Sequence, residues 1–78
     1  MAWNNLGGTY AGLNQHAKAI EAFQEALRLK PDYAAAWFNL GVAYASSGNR
    51  VGARPIYQRL EKLNPVLAEK YLQAVIPP

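Results

Sequence analysis

Residues 3–10 read Trp-Asn-Asn-Leu-Gly-Gly-Thr-Tyr, and residues 37–44 read Trp-Phe-Asn-Leu-Gly-Val-Ala-Tyr. Sliding residues 3–36 onto 37–70 extends the match beyond the octets: Asn5 meets Asn39, Ala11 meets Ala45, Ala19 meets Ala53, Gln24 meets Gln58, Leu29 meets Leu63, Pro31 meets Pro65 and Ala34 meets Ala68. Together with Trp3/Trp37, Leu6/Leu40, Gly7/Gly41 and Tyr10/Tyr44, these exceed the about two or three coincidences that ordinary composition gives in such a window. The chain is built on a period of 34 residues.

Each unit carries two helical patterns. Trp3, Leu6, Gly7 and Tyr10 fall at i, i+3, i+4 and i+7, the spacing of one helix face. The pattern stops at Asn14, whose counterpart is Gly48, and these are the residue types that best tolerate the left-handed backbone ending a helix. A second face follows in Ala19, Ile20, Phe23, Ala26 and Leu27, and Pro31 closes it. Asp32 is expected to cap the next helix as its N-cap acceptor. The unit is therefore helix, turn, helix and a proline-marked turn.

Bulk properties narrow the functions open to such a chain. At 78 residues it is one small domain, and chains of this size bury only about 60% of the surface exposed when unfolded, which leaves little room for an enclosed active site. Half the residues are apolar and 17% are charged, a composition that folds. Eight Lys/Arg against five Asp/Glu give a formal net charge of +3, with the cations scattered. The absence of cysteine removes disulfides, thiolate metal sites and thiol nucleophiles and leaves the redox compartment open. No apolar run reaches the roughly 20 residues of a membrane span, and residues 1–3 carry no secretory-signal pattern. A water-soluble, cytoplasmic module is the expectation.

Trp, two residues, Leu-Gly, two residues, Tyr, then Ala, three residues, Phe, then Pro resembles the tetratricopeptide repeat. Trp3, Leu6, Gly7, Tyr10, Ala19, Phe23, Ala26 and Pro31 carry the resemblance in the first unit. In the second they are Trp37, Leu40, Gly41, Tyr44, Gly48, Ala53, Tyr57 and Pro65, with Tyr in place of Phe. The resemblance implies an all-α fold: a first repeat over 1–34, a second over 35–68 and a closing helix over 66–76, five helices in a right-handed superhelical arc. Gly7 and Gly41 are expected to let the second helix of their own unit approach, with Ala19 and Ala53 serving the same approach from the other side. One hairpin cannot bury its faces alone, and stacking creates the core.

The second unit exchanges apolar residues for charge: Arg54 stands at the Ile20 register and Glu61 at the Leu27 register. These are expected to form a solvated outer face ending the array. Pro55 should loosen the start of its helix by removing one backbone hydrogen bond. In the closing helix Tyr71 takes the Trp register, Ala74 the Leu register and Val75 the Gly register, so no further helix is expected to pack closely there. At the front, Trp3 arrives with almost no lead-in, which fits an array cut from a longer one or a small two-repeat unit, natural or designed.

In the resembled family, partners lie in a concave groove formed by the first helices of successive units. Carried over by register, that groove is Asn4, Gly8, Ala11 and Gly12 from the first unit, Phe38, Val42, Ala45 and Ser46 from the second, and Leu72 and Ile76 from the closing helix. The repeated Asn5 and Asn39 join them as candidate contacts to a peptide backbone. Members that clamp acidic chaperone tails place Lys, Asn and Arg at these positions. Here Asn4, Gly8, Leu72 and Ile76 stand at those places and only Asn39 fits, so no carboxylate clamp is expected. A small-sided apolar groove suits an apolar or amphipathic segment, with Phe38 as anchor. Two alternatives stand beside it: Phe38, Val42, Leu72 and Ile76 pack the closing helix, or the groove pairs with a second copy as a self-associating scaffold.

Other chemistry finds no constellation. His16 is the only histidine, with no ligand partner nearby in sequence, and reads as a surface residue at the turn into the second helix, not a metal site. Ser46, Ser47 and Thr9 lack an arranged base, so no catalytic residue, metal or cofactor is expected. Gly7, Gly8 and Gly12 lie within a helix, unlike a phosphate loop. Arg50, Arg54, Arg59 and Lys62 make one helix basic without the aromatic interleaving that single-stranded nucleic-acid binding uses.

Overall fold

A computed structural model describes residues 2–75. Five helices follow one another: α1 (Ala2–Gly12), α2 (His16–Leu29), α3 (Ala34–Ser46), α4 (Arg50–Leu63) and α5 (Pro65–Val75). Consecutive helices pack as antiparallel neighbours, and α3 also touches α1 and α5, so the hairpin α1–α2 stacks on α3–α4 and α5 completes the stack. No helix among the described residues is long and apolar enough to cross a membrane.

The two hairpin turns are built alike. Asn14 takes φ 60° and Gly48 takes φ 84°, the left-handed conformation that the sequence pattern required. The next amide then reaches back over the turn: Gln15 N–H donates to Tyr10 O at 2.9 Å, and Asn49 N–H to Tyr44 O at 2.8 Å. These bonds satisfy carbonyls that a helix end leaves open. The units differ one residue later. Asn49 Oδ1 accepts from Gly52 N–H at 2.9 Å and caps α4, whereas Gln15, with one more methylene, makes no such bond at the start of α2.

The start of α3 departs from expectation. Its N-cap is Tyr33, with no side-chain cap, and Asp32 sits in the preceding turn, one residue too early to reach the first amides. That turn is tied from inside the helix instead, by Trp37 Nε1–H donating to Pro31 O at 2.8 Å. The α4–α5 junction uses the device missing there: Asn64 Oδ1 accepts from Leu67 N–H at 3.1 Å, and Pro65 opens the helix where its missing N–H costs nothing. Pro55 lies inside α4, so Val51 O lacks its α-helical donor.

The core is aliphatic and aromatic: Ala19, Phe23, Ala26, Leu27, Ala36, Leu40, Ala43, Ile56, Leu60, Ala68 and Tyr71 pack as one buried cluster. No polar or charged residue is buried among the described residues. Two glycines decide how closely the helices meet. A Cβ on Gly7 would lie 2.5 Å from Phe23 Cε1, so α2 comes up against α1 as expected. A Cβ on Gly41 would collide first with the ring of Tyr71. The bare position at Gly41 thus also receives α5. Tyr71 reaches it from the Trp register of α5 and fixes its hydroxyl to Ala53 O at 2.7 Å.

Register-equivalent residues are not equally buried. Leu40 is buried while Leu6 is 40% exposed, and Trp3 is 41% exposed while Trp37 is half-buried beneath Arg59, whose guanidinium lies 5.3 Å from its ring. The reason is position in the stack. α3 is flanked by α2 and by the α4–α5 pair, and α1 packs chiefly on α2.

Candidate functional site

α1 carries three glycines in eleven residues, Gly7, Gly8 and Gly12, a poor composition for an isolated helix. Only Gly7 meets a neighbour. At Gly8 and Gly12 a Cβ would find nothing within 4 Å, because both face an open hollow between α1 and α3. The hollow has a volume of about 650 Å³. Gly8, Ala11 and Gly12 line one wall and Asn39, Val42, Ala43 and Ser46 the other, with Asn14, His16 and Phe23 closing the end toward α2.

The polar groups of this hollow are neutral amides and hydroxyls apart from the imidazole. Asn39 Nδ2 donates to Asn4 Oδ1 at 3.0 Å, a partly buried bond that ties α3 to α1. A side-chain amide offers two N–H donors and an acceptor oxygen. One N–H is used on Asn4, and the rest of the Asn39 amide has no partner among the described residues. His16 corrects the expectation of a surface histidine: it is half-buried, and its Nδ1 is buried without a hydrogen-bond partner among the described residues. No group of three or more His, Cys, Asp or Glu among them could hold a metal ion.

The register-derived groove residues divide by location. Gly8, Ala11, Gly12, Asn39 and Val42 line the one hollow, and Asn4 borders it through its bond to Asn39. Asn5 is exposed, and its carbonyl accepts from Thr9 Oγ1 at 3.2 Å. Ala45 is half-buried outside the hollow. Phe38 stands edge-on to Tyr71, ring centroids 5.9 Å apart at 69°, so at least part of its surface packs α5. Leu72 lines a different cleft, between α4 and α5. Ile76 lies outside the described residues.

The helix-face pattern did not identify Asn14, His16, Phe23 and Ala43 as lining the hollow. Asn14 and His16 flank a turn, where a 3.6-residue period carries no information, Phe23 belongs to the core-facing pattern of α2, and Ala43 falls outside the register positions carried over as groove. The charged residues lie elsewhere. Glu25 pairs with Arg28 on the outside of α2, and the hydrogen bond from that guanidinium holds the Glu25 carboxyl below its ordinary value. Lys18 and Lys30 rest over the rings of Tyr10 and Tyr33 at 5.7 and 5.3 Å.

Comparison with protein-family models gives two overlapping matches. Residues 7–48 match a model described as TPR repeat, and residues 34–65 match one described as Tetratricopeptide repeat. No curated protein matches the chain. The first match runs from the glycine that admits Phe23 to the glycine that ends α3, more than half of the sequence. The chain belongs to the tetratricopeptide repeat family.

Proposed function

We propose that the chain is a non-catalytic interaction module that holds a peptide or helix of a partner protein in the hollow between α1 and α3. Repeats of this family are interaction scaffolds, and a hollow of this kind is where an added segment can gain contacts without displacing the core. The observation that carries the reading is the open space at Gly8 and Gly12, where a ligand backbone can come against the helix itself. The unpaired N–H and oxygen of Asn39 supply bonds for that backbone. Val42 and Ala11 supply apolar contact, which suits an apolar or amphipathic segment in a cytoplasmic setting.

Panning a random peptide library against the immobilised chain tests this reading. Selected peptides should converge on a common apolar spacing and lose binding to Gly8→Leu, while the helical circular-dichroism signal of that variant stays intact. Convergence on peptides indifferent to Gly8→Leu and Val42→Glu would place recognition elsewhere.

Self-association is a second reading, favoured by a different surface. Trp3 and Leu6 on α1 and Leu13 in the turn after it hold large apolar side chains in water, at 41, 40 and 62% exposure. Light scattering over a hundredfold concentration range distinguishes the two, because only this reading raises the mass.

A further inference from the structure

A second cleft lies between α4 and α5, with a volume of about 380 Å³, inside the about 300–1,000 Å³ span of ligand sites. It shares no lining residue with the α1–α3 hollow. Val51 and Tyr57 from α4 and Leu72 and Val75 from α5 give it an apolar lining. Val51 is 81% exposed, Tyr57 and Val75 pack in part against the buried cluster, and the buried Ala53 and Tyr71 also line the cleft. The rim has a different character. Arg50 and Arg54, one helical turn apart on α4, border the cleft, and neither forms an ion pair among the described residues.

The charge around this cleft is directional. α4 has no acidic residue in its first turn, so both guanidinium groups add to the positive end of the helix dipole. On the Tyr57 side the cleft also has carboxylates: burial, and then Glu61 and Glu69, push the Tyr57 phenol above its ordinary value, so the positive rim is the part of α4 that carries Arg50 and Arg54. Two like charges one turn apart repel, and a carboxylate seated between them relieves the repulsion while forming charge-assisted hydrogen bonds. A second copy of this chain is a poor match, since it brings a net charge of +3 to an already positive rim.

We propose that the α4–α5 cleft is a second docking site, which takes a short amphipathic helix of a protein partner with branched apolar side chains on one face and acidic residues along the adjoining flank. The apolar face fills the space between Tyr57, Leu72 and Val75, and the acidic flank meets Arg50 and Arg54. α5 is eleven residues, about 16 Å long, so a helix of about three turns covers the cleft. This site does not rest on the reading of the α1–α3 hollow. A chain using both faces would join two segments at once.

The test is a fluorescence-anisotropy titration with a dye-labelled, helix-stapled peptide bearing leucines one turn apart and glutamates on the adjoining flank, beside a twin with glutamine for glutamate. The glutamate peptide should bind at least about tenfold tighter than its twin, and the advantage should fade as salt rises from about 50 mM to about 500 mM. The Arg50→Glu, Arg54→Glu double variant should lose at least about tenfold in affinity, and Val51→Ser should weaken both peptides. Gly8→Leu, in the other hollow, should leave binding unchanged. Should the double variant lose helicity, Arg54→Gln and the salt series read the same charge dependence. Equal binding of the two peptides, indifference to the arginines, no saturable binding, or a doubled chain mass in place of peptide binding would each overturn the proposal.

Discussion

The ring of Tyr71 lies directly against Gly41, so closely that a Cβ at residue 41 would collide with its Cε1, Cζ and Oη atoms. α5 is locked onto the stack by that contact and by the hydroxyl bond to Ala53 O. Gly41→Ala should therefore destabilise the fold by about 2–3 kcal/mol, as overpacking in a close-packed core does. Gly8→Ala, on an open helix face, should instead stabilise it by about 0.5–1 kcal/mol by raising helix propensity. Urea denaturation of the two variants checks the pair, and equal effects would mean that Gly41 is not the point of contact.

Tyr71 also makes stability depend on alkaline pH. Burial pushes its phenol from the ordinary 10.0 up to about 12. The folded state holds the proton more tightly than the unfolded state, so this contribution is complete below pH 10 and is lost as the pH rises through about 12. Tyr71→Phe should remove that fall, and should cost about 1 kcal/mol at neutral pH through the lost bond to Ala53 O. Circular dichroism against pH, read beside phenolate absorbance, follows both effects.

Pro55 should be a weak point in α4. It is exposed, and it removes one backbone hydrogen bond from the helix interior. Pro55→Ala should raise stability by about 1–3 kcal/mol. A rise in the thermal midpoint checks this, and no change would mean that the helix is already relaxed around the proline.

The two turns suggest a correction to the weaker one. Asn49 caps α4 and its counterpart Gln15 makes no cap bond at α2. Gln15→Asn should gain about 0.5–1 kcal/mol, measured by urea denaturation, and the reverse change Asn49→Gln should lose a similar amount.

Much of this fold was legible in the sequence because its determinants are local and occur twice. The 34-residue period, the left-handed Asn14 and Gly48, the Gly7–Phe23 approach and the five helices all follow from residue types at fixed spacing. What periodicity could not give was the neighbour. Gly41 has an aromatic residue at the expected register, Tyr57, but the ring nearest to it is that of Tyr71, which only the docking of α5 brings there. Asp32 was misplaced by one residue, the margin within which helix ends are readable. The candidate groove was legible on α1, where Gly8, Ala11 and Gly12 share a wall, and less so on α5, where Leu72 faces the α4 cleft. His16 belongs to the hollow through the path of the turn before it, which a helix-face pattern does not describe.

The most direct measurement is an amide ¹H–¹⁵N correlation spectrum of the chain, recorded during titration with a peptide selected by panning. Binding in the α1–α3 hollow predicts that the amides of Gly8, Ala11, Gly12, Asn39 and Val42 shift first and furthest, while those on the outer face of α2 stay in place. Saturable binding that moves residues of α2 or of the α4–α5 cleft and leaves Gly8 and Gly12 unmoved would contradict the account.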